Sequence, residues 1–300
     1  MAGHRRRDGA LPRRGRAYTA GVRDRWAGWL LERRFGGDAA AFAKTLPVLE
    51  EFRDTVLDAA RITATDTVLD VGCGDGLLGV GALDRANTVI FSDISEDLLD
   101  TCREVVGDRR DRCRFVHTGL PELDGIADGS VDVAMTRSVL IYVDDKAASL
   151  RTFHRVLRPG GRLSLFEPIN RFAWPEPDDV LWGCDVTGVE ALARKVKDSF
   201  EGFRRDAMVG FDERDLVRLA EDAGFGTITA ELRVYVGPVQ HPVEWETFLN
   251  IAPNPLAPTF GQALAEALEE DERAILAARL EERFARRRMR SAGLYLAATK

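Results

Sequence analysis

The chain has 300 residues, 45% of them hydrophobic, and its 42 Lys and Arg residues against 49 Asp and Glu residues give a formal net charge of −7. This composition excludes a disordered or fibrous protein, and no apolar run approaches the ~18 residues of a membrane-spanning helix. Four irregularly spaced cysteines without a C-x-x-C pair argue against a zinc site or a disulfide framework. We therefore expect a soluble, cytoplasmic protein that binds neither a membrane nor a metal.

The first residues form a strongly basic stretch, MAGHRRRDGALPRRGR, which lacks the apolar core of a signal peptide. Residues 1–16 hold six arginines and one aspartate, a local charge of +5, so residues 17–300 carry −12. A body with this charge is not expected to bind nucleic acid, and residues 1–19 are predicted to form a disordered basic arm.

Residues 20–62 have the periodicity of amphipathic helices and are predicted to form a helical cap. Trp26, Trp29 and Leu30 fall on successive turns, and the pair Gly36-Gly37 divides the segment into two or more helices. Aromatic side chains in such a segment either cover a ligand or pack the cap helices together, and the sequence leaves both roles open.

The first β-rich run leads into a glycine-rich turn within the stretch VLDVGCGDGLLG, which begins at Val68. Residues 74–79 match the dinucleotide fingerprint G-x-G-x-x-G, whereas residues 70–76 match D-x-G-x-G-x-G, a pattern of S-adenosylmethionine-binding loops. Glycines allow a tight turn and a close approach to either cofactor, so they do not discriminate between the two.

The charges of this turn decide between the two cofactors. A carboxylate ~4 Å from a unit anion in a partly solvated site repels it by up to ~4 kcal/mol, so Asp70 and Asp75 oppose a pyrophosphate. The same carboxylates attract the ammonium group of S-adenosylmethionine, which has no phosphate. Gly79 is then expected to serve helix packing instead of ligand binding. The residues of the turn predicted to bind S-adenosylmethionine are Asp70, Gly72, Gly74 and Gly76.

The second β-rich run ends in FSDIS and places Asp93 at the sheet edge where ligands bind. A carboxylate in this position can accept hydrogen bonds from both ribose hydroxyls of the cofactor. The alternative is a local role, in which Asp93 only caps the helix that starts at Ser95. Ile94 is expected to cover one face of the adenine or, alternatively, to belong to the core.

Short β-rich runs alternate with helical segments as far as residue 168, which predicts βαβ units and a parallel sheet with helices on both faces. The predicted strands are 67–71, 88–92, 114–117, 131–136, 162–166, 227–236 and 294–299. The predicted helices between the first five lie near residues 76–85, 95–106 and 145–157.

Three further segments occur in a specific order: FVHTGLPEL (115–123), DGSVDVAMTRSVLIYV (128–143) and FHRVLRPGGRLSLFEP (153–168). Together with the glycine turn, they resemble the class I S-adenosylmethionine-dependent methyltransferases of the small-molecule type, and more loosely the ubiquinone and arsenite methyltransferase-like proteins. The resemblance implies an α/β, Rossmann-like fold with a seven-stranded sheet whose last strand is antiparallel. It also implies a methyltransferase domain over residues 63–300.

The resemblance further implies where the cofactor and the acceptor meet. Members of the family usually have an acidic residue after the third strand for the adenine amino group. Gly119 and Leu120 stand there in this chain, so their backbone groups, or the carboxylate of Glu122, are expected to bind the ring. Arg137 and Ser138 follow the fourth strand and are expected at the methionine end. Arg137 binds the cofactor carboxylate in this interpretation, with a salt bridge at the sheet end as the alternative.

Methyl transfer needs a bound cofactor, a positioned nucleophile and the exclusion of water, whereas a base is optional. No catalytic residue is therefore assigned. Glu167 at the end of the fifth strand and Tyr142 after the fourth are the candidates for a base, with packing as the alternative for Tyr142.

Two insertions are expected, at about 169–205 and 237–290, and the second ends in a helix that runs to about Arg290. Because the family does not fix them, they are expected to select the acceptor. The predicted activity is methyl transfer to a nucleophilic O, N or C atom of a small organic molecule, in specialised metabolism. The alternatives are a peptide or protein methyltransferase, an enzyme that uses the cofactor for cyclisation or decarboxylation, and a binding protein with a degenerate site.

Overall fold

The computed structural model describes residues 23–201 and 206–300. The basic arm predicted for residues 1–19 lies outside the described residues. Within the two described ranges, no helix is both long enough and apolar enough to cross a bilayer.

A short helix, α1 (Arg25–Gly28), opens the described region and continues as one π-helical turn from Trp29 to Arg33. Asp24 starts α1 because its carboxylate accepts hydrogen bonds from the backbone N–H groups of Trp26 (2.8 Å) and Ala27 (3.1 Å). π-Helical turns are rare in proteins, and those that occur often lie at functional sites. The surface that this turn covers is therefore a candidate functional surface.

The break after the π-helical turn occurs at Gly36 and Gly37, which both have positive φ angles (62° and 74°). Asp38 then caps a long helix, α2 (Ala39–Ala59), by accepting hydrogen bonds from the backbone N–H groups of its first turn. The division of the cap at the glycine pair is therefore as the sequence predicts.

Nine strands follow in the described chain, seven of them in one sheet. They are β1 (Thr67–Val71), β2 (Thr88–Asp93), β3 (Cys113–His117), β4 (Val131–Arg137), β5 (Leu157–Pro168), β6 (Val180–Leu181), β7 (Cys184–Asp185), β8 (Thr227–Pro238) and β9 (Arg288–Thr299). The sheet has the order β3-β2-β1-β4-β5-β9-β8, and β6 pairs only with β7. β1 to β5 are parallel, whereas β9 runs antiparallel to both β5 and β8. The predicted fold class is confirmed.

Helices cover both faces of this sheet, and others lie apart from it. The helices after α2 in the described chain are α3 (Leu77–Ala82), α4 (Glu96–Val105), α5 (Lys146–Val156), α6 (Glu190–Glu201), α7 (Asp206–Val209), α8 (Glu213–Asp222), α9 (Trp245–Leu249), α10 (Phe260–Ala267) and α11 (Glu270–Phe284). Buried side chains of α2, α3 and α4 pack on one face, and those of α5 and α8 pack on the other. The two apolar layers hold the carboxyl ends of β1, β2 and β4 side by side at one edge.

Several element boundaries differ from the predicted ones, and two of them bear on the interpretation of the sequence. β5 starts at Leu157, because Leu157 already pairs with Val131 before the chain turns at Gly160 (φ 76°). The helix predicted to reach Arg290 ends at Phe284, and the backbone N–H of Arg288 donates to the carbonyl of Gly183 (2.9 Å) as β9 begins. The arginines after position 284 therefore belong to the turn and the strand, and do not extend the basic end of α11.

The two insertions fold together into one helical lobe. Trp182, from the first insertion, lies with its ring centroid 4.7 Å from that of Phe260, in the second. Phe260 in turn stacks on Phe248 at 4.3 Å. The two segments are separated in sequence by α8 and β8, yet they share a single apolar cluster.

Candidate active site

The turn between β1 and α3 is made of glycines in the left-handed conformation: Gly72 (φ 64°), Gly74 (56°) and Gly76 (89°). Gly72 has no room for a side chain, because an added Cβ would lie 2.3 Å from Cγ2 of Val139. Gly72 and Gly74 line a cavity at the carboxyl ends of the parallel strands. Gly76, also predicted to bind the cofactor, lies outside this lining and immediately precedes α3.

Asp70 lies in the cavity wall, but one oxygen of its carboxyl group is already engaged. Its Oδ2 accepts a 2.7 Å hydrogen bond from the backbone N–H of Gly79 in α3. Burial raises the pKa of Asp70 to about 7. The side chain thus fixes the shape of the glycine turn, and the electrostatic role that the sequence assigns to Asp70 stays a prediction.

Gly79 completes the G-x-G-x-x-G match but does not line the cavity. An added Cβ would lie 2.2 Å from Cε1 of Phe91 in β2. Gly79 therefore lets α3 pack closely on the sheet, as predicted, and the dinucleotide match reflects packing.

Asp93 ends β2 with its side chain almost fully buried in the cavity wall. Its Oδ2 accepts a hydrogen bond from the N–H of Gly74 (2.9 Å), and its Oδ1 accepts one from the N–H of Ser95 (2.9 Å). Each carboxylate oxygen keeps acceptor capacity beyond these two bonds. Ser95, not Asp93, caps α4, because its hydroxyl oxygen accepts from the N–H of Leu98 (3.1 Å). Burial raises the pKa of Asp93 above its usual range.

Beside Asp93, the cavity has an apolar wall formed by Ile94, Gly119 and Leu120. Ile94 is 52% exposed, which is unusual for a large apolar side chain. Gly119 packs against it so closely that an added Cβ would lie 2.3 Å from Cγ2 of Ile94. Glu122, the alternative partner for the adenine, is exposed and lies outside the cavity lining.

Arg137 and Ser138 lie at the carboxyl end of β4 and both line the cavity. Ser138 has a positive φ of 57°, and its N–H donates to the carbonyl of Phe166 (2.9 Å). The guanidinium group of Arg137 makes no hydrogen bond or ion pair with a side chain or backbone group of the described residues, and burial lowers its pKa. The sheet-end salt bridge considered as its alternative role is therefore not seen among the described residues. A buried guanidinium group at a cavity wall is stabilised when it pairs with an anionic ligand.

Glu167 is placed behind the cavity wall and does not line it. Its Oε1 accepts hydrogen bonds from the N–H groups of Val139 and Leu140 (both 2.9 Å), and its Oε2 accepts one from Ile141 (3.2 Å). Burial raises its pKa to about 7. Since both oxygens hold the turn after β4, the structure gives Glu167 the part of a positioning residue instead of a base in contact with substrate.

Tyr142 lines the cavity from the same turn. Its ring meets the ring of Trp26 edge-on, with the centroids 5.0 Å apart at an angle of 81°. Burial raises the pKa of Tyr142 above its usual range, so its hydroxyl stays protonated and is poorly suited to act as a base. The ring thus has the predicted packing role and also presents a hydroxyl donor at the cavity.

The N-terminal segment closes the cavity from above. The carboxylate of Asp24 accepts a 2.5 Å hydrogen bond from the hydroxyl of Ser95, which anchors α1 beside Asp93. Nε1 of Trp29 donates to the carbonyl of Ala252 in the second insertion (2.8 Å). Leu30 packs against the glycine turn, because Cδ2 of Leu30 would lie 3.1 Å from a Cβ added to Gly74. The helical cap and the second insertion therefore meet over the cavity.

The cavity has a volume of about 760 Å³, within the range of small-molecule and cofactor sites. Its wall away from the glycine turn is formed by residues of the cap, of the turn after β4, of α7 and of both insertions. These are Trp26, Trp29, Arg34, Tyr142, Val143, Asn170, Met208, Ile251 and Pro253.

No histidine of the described residues lines the cavity. His117 is exposed and its Nε2 lies 2.9 Å from the carbonyl oxygen of Ile94, while His154 packs edge-on against Phe225. Within residues 23–201 and 206–300, no three His, Cys, Asp or Glu side chains come together in a way that could hold a metal ion.

The Methyltransferase domain family matches residues 69–165, the segment that contains the glycine turn, Asp93 and the end of β4. Residues 69–165 therefore form a domain of this methyltransferase family. The cofactor of this domain is S-adenosylmethionine. The same fold is seen in a solved structure of geranyl diphosphate methyltransferase in complex with that cofactor, with a TM-score of 0.51 at 17% identity over 88% of this chain and 91% of that one.

Two curated relatives resemble parts of this methyltransferase. An uncharacterized 37.1 kDa protein in transposon Tn4556 of Streptomyces fradiae is 32% identical over 191 residues, which cover 62% of this chain and 50% of the relative. The tRNA 5-carboxymethoxyuridine methyltransferase of Escherichia coli is 32% identical over 100 residues, which cover 33% of this chain and 38% of the relative. The chain thus spans half or less of the length of these relatives.

Sequence reasoning missed several residues of the methyltransferase site. Asp24 carries a signal, because an aspartate directly before a helical segment is a typical N-cap. Met208 in α7 and the segment Ile251–Pro253 in the second insertion carry none, since only the tertiary fold brings them to the cavity.

Proposed function

We propose that the protein transfers the methyl group of S-adenosylmethionine to a nucleophilic O, N or C atom of a small organic molecule. The observation that carries the proposal is the cavity of about 760 Å³, in which the glycine turn predicted to bind the cofactor faces the aromatic wall of the cap. Such a cavity can hold the nucleophile near the sulfonium methyl, which is what methyl transfer requires.

In this proposal the cofactor lies across the carboxyl ends of β1, β2 and β4. Asp93 accepts hydrogen bonds from the ribose hydroxyls, and its position between two backbone donors supports this role. Ile94 and the backbone of Gly119 and Leu120 hold the adenine. Arg137 binds the cofactor carboxylate, as supported by its buried guanidinium group in the cavity lining at the carboxyl end of β4.

The remaining contacts of the cofactor fall on the turn after β4 and on the glycine turn. Ser138 faces the methionine portion from the end of β4, and Gly72 and Gly74 approach it with their backbone. Asp70 and Asp75 lie near the ammonium group, where negative charge is favourable. The binding role of Gly76 is indirect, through the conformation of the turn.

A small acceptor is supported by two contacts that the cap makes over the cavity. Trp26 contacts Tyr142 from above, and Trp29 is tied to Ala252 by a 2.8 Å hydrogen bond, so two segments restrict access to the reacting centre. A macromolecular substrate would need these contacts to open. The placement of the acceptor in specialised metabolism stays a prediction.

A nucleic acid acceptor is the second candidate, because one relative is named as a tRNA methyltransferase. Residues 17–300 carry a charge of −12, which disfavours binding of a polyanion. Peptide acceptors and a reaction without methyl transfer are the other candidates from the sequence.

The proposal is tested by measuring S-adenosylhomocysteine formation with panels of small organic acceptors, peptides and tRNA. We expect turnover with a member of the small-molecule panel, with one methyl group added to product for each S-adenosylhomocysteine released. Turnover with tRNA or peptide alone, or conversion of an acceptor without consumption of S-adenosylmethionine, would contradict it. The Asp93→Asn variant serves as the control for cofactor-dependent signal.

A further inference from the structure

The outer edge of the seven-stranded sheet is formed by β8, a strand of twelve residues. In the described chain β8 pairs only with β9, residue against residue, from Thr227 opposite Thr299 to Pro238 opposite Arg288. Alternate residues of an antiparallel strand direct their N–H and C=O groups away from the neighbouring strand. The outer side of β8 therefore presents a long row of backbone donors and acceptors to which the described chain supplies no second strand.

One face of β8 is apolar and exposed. Leu232, Val234 and Val236 are 41%, 50% and 46% exposed, and they are three of the five exposed large hydrophobic side chains in the described part of the chain. Because side chains alternate along a strand, they share this face with Ile228. Leu294, which lies opposite Leu232 in β9, is buried, so the exposure is confined to the edge strand. An apolar row of this kind is typical of an interaction surface.

The opposite face of β8 carries two charges of opposite sign. Nε of Arg233 donates to Oε1 of Glu231 (2.7 Å), and the guanidinium carbon of Arg233 lies 4.5 Å from the ring centroid of Tyr295 in β9. Both charged side chains are exposed. Charged groups on an edge strand oppose pairing with another chain unless an opposite charge lies across from them.

The other features that protect a sheet edge are not found along β8. The strand contains no lysine, its one proline is Pro238 at its end, and its register with β9 has no bulge. Ile228 packs against the apolar cluster that includes Leu216 and Ala220 of α8, but residues 229–234 are all exposed. This edge is therefore suited to pair with a further strand.

We propose that β8 pairs antiparallel with β8 of a second copy of this chain, about a two-fold axis that passes beside Leu232. The two sheets then form one continuous sheet, and the interface is isologous because both copies use the same strand. In this arrangement Leu232 lies opposite Leu232 of the second copy, and residues 227–237 of both strands are paired. The inference is independent of the proposed function.

The charges of the strand favour this register over its neighbours. With Leu232 at the axis, Glu231 of each copy lies opposite Arg233 of the other copy, where opposite charges attract. A shift of two residues in one direction places Glu231 opposite itself, and a shift in the other direction places Arg233 opposite itself, so that like charges meet. A shift of one residue places a charged side chain opposite Leu232 and brings the apolar face of one copy beside the charged face of the other.

The apolar face is matched in the same register. Val234 lies opposite Ala230 of the second copy, and Val236 lies opposite Ile228. The exposed apolar side chains of the two copies thus come into contact with one another, and the outer backbone groups of both strands become paired. A single strand therefore supplies complementary charges, apolar contacts and backbone hydrogen bonds to its own copy.

Sedimentation equilibrium of the full-length protein tests this pairing, because it measures the mass in solution over a range of concentrations. We expect the wild type to be a dimer. Leu232→Lys and Leu232→Glu each place two like charges at the axis and should each raise the dimer Kd about tenfold or more. An equal mixture of the two variants should recover the dimer, because a lysine then faces a glutamate.

Ile275→Lys is the matched control, because Ile275 is 55% exposed and belongs to α11, apart from the sheet edge. It should remain as dimeric as the wild type. A wild-type protein that stays monomeric at every concentration would overturn the proposal, whether the face is open or covered by another part of the chain. A dimer that persists in both Leu232 variants would place the interface elsewhere, and variants that do not recover on mixing would reject the two-fold register.

A second pair of variants tests the charges and does not depend on Leu232. Glu231→Arg places an arginine opposite Arg233 of the second copy and should weaken the dimer about tenfold. Adding Arg233→Glu to the same chain restores opposite charges across the axis and should recover the dimer. Thermal unfolding checks that both proteins are folded. A folded double variant that remains as weak a dimer as Glu231→Arg would contradict the pairing of Glu231 with Arg233.

Discussion

Glu167 shows how a single buried carboxyl group can shape a site without touching a ligand. Three backbone N–H groups donate to it and favour its charged form, yet burial outweighs them and raises its pKa to about 7. Its position at the end of β5 is predictable from the sequence. Its function is not, because the three donors come from a turn that only the folded chain brings to the strand.

The raised pKa of Glu167 predicts a pH-dependent contribution to stability. Protonation favours the folded state, so the contribution is fully present below about pH 4.5 and is lost as the pH rises through 7. Between pH 5 and 8 the free energy of unfolding should fall by roughly 2 kcal/mol more in the wild type than in Glu167→Gln, which does not titrate. Denaturant unfolding of both proteins at several pH values measures this difference, and parallel pH profiles would contradict it.

The proposed recognition of the cofactor ribose by Asp93 can be tested by substitution. Replacement by Asn keeps the size of the side chain but removes the charge and one acceptor oxygen, which should weaken S-adenosylmethionine binding about tenfold to hundredfold. Calorimetric titration gives the affinity, and Asp108→Asn, at an exposed position, is the matched control. Equal affinities of wild type and Asp93→Asn would show that the ribose is held by other groups.

At the scale of secondary-structure elements, the strands of the parallel sheet can be predicted from the alternation of β-rich and helical segments. The helix ends can be predicted from glycines and from capping residues. The predicted end of α11 at Arg290 is wrong because basic residues are tolerated equally in a last helical turn and at the start of a strand. The pairing of Arg288 with Pro238 in β8 decides for the strand, and this contact spans residues far apart in the sequence.

The contact between α3 and β2 gives a prediction at this scale. An added Cβ at Gly79 would lie 2.2 Å from the Phe91 ring, so Gly79→Ala should destabilise the fold by about 1–3 kcal/mol through overpacking. Gly28→Ala is the matched control, because no atom lies within 4 Å of its added Cβ and helix propensity favours alanine by up to ~1 kcal/mol. Thermal unfolding of the two variants should shift in opposite directions, and equal shifts would contradict the packing role.

At the scale of the whole molecule, the site is completed by parts that are remote in sequence. The cap, the turn after β4 and both insertions converge on one cavity, and the insertions share one apolar cluster. The lining residues of the glycine turn and of the ends of β2 and β4 are predictable from the sequence, because their motifs are short and local. The lining residues of the opposite wall are not, because no local pattern records that Trp29 meets Ala252.

The bond between Trp29 and Ala252 predicts that the cap and the second insertion close the site together. Trp29→Phe keeps a ring but removes the Nε1–H donor, so amide hydrogen exchange in the segment around Ala252 should become faster. S-adenosylhomocysteine should slow this exchange in the wild type more than in the variant. Unchanged exchange in Trp29→Phe would show that the insertion holds its position without the cap.

The central claim is that the glycine turn, with Asp70 and Asp75, binds S-adenosylmethionine and not a dinucleotide. Calorimetric titration of the wild-type protein with S-adenosylmethionine and, separately, with NAD tests it directly. We expect saturable binding of S-adenosylmethionine with one site per chain and no measurable heat from NAD. Binding of NAD, or an absence of S-adenosylmethionine binding by the folded protein, would contradict the claim.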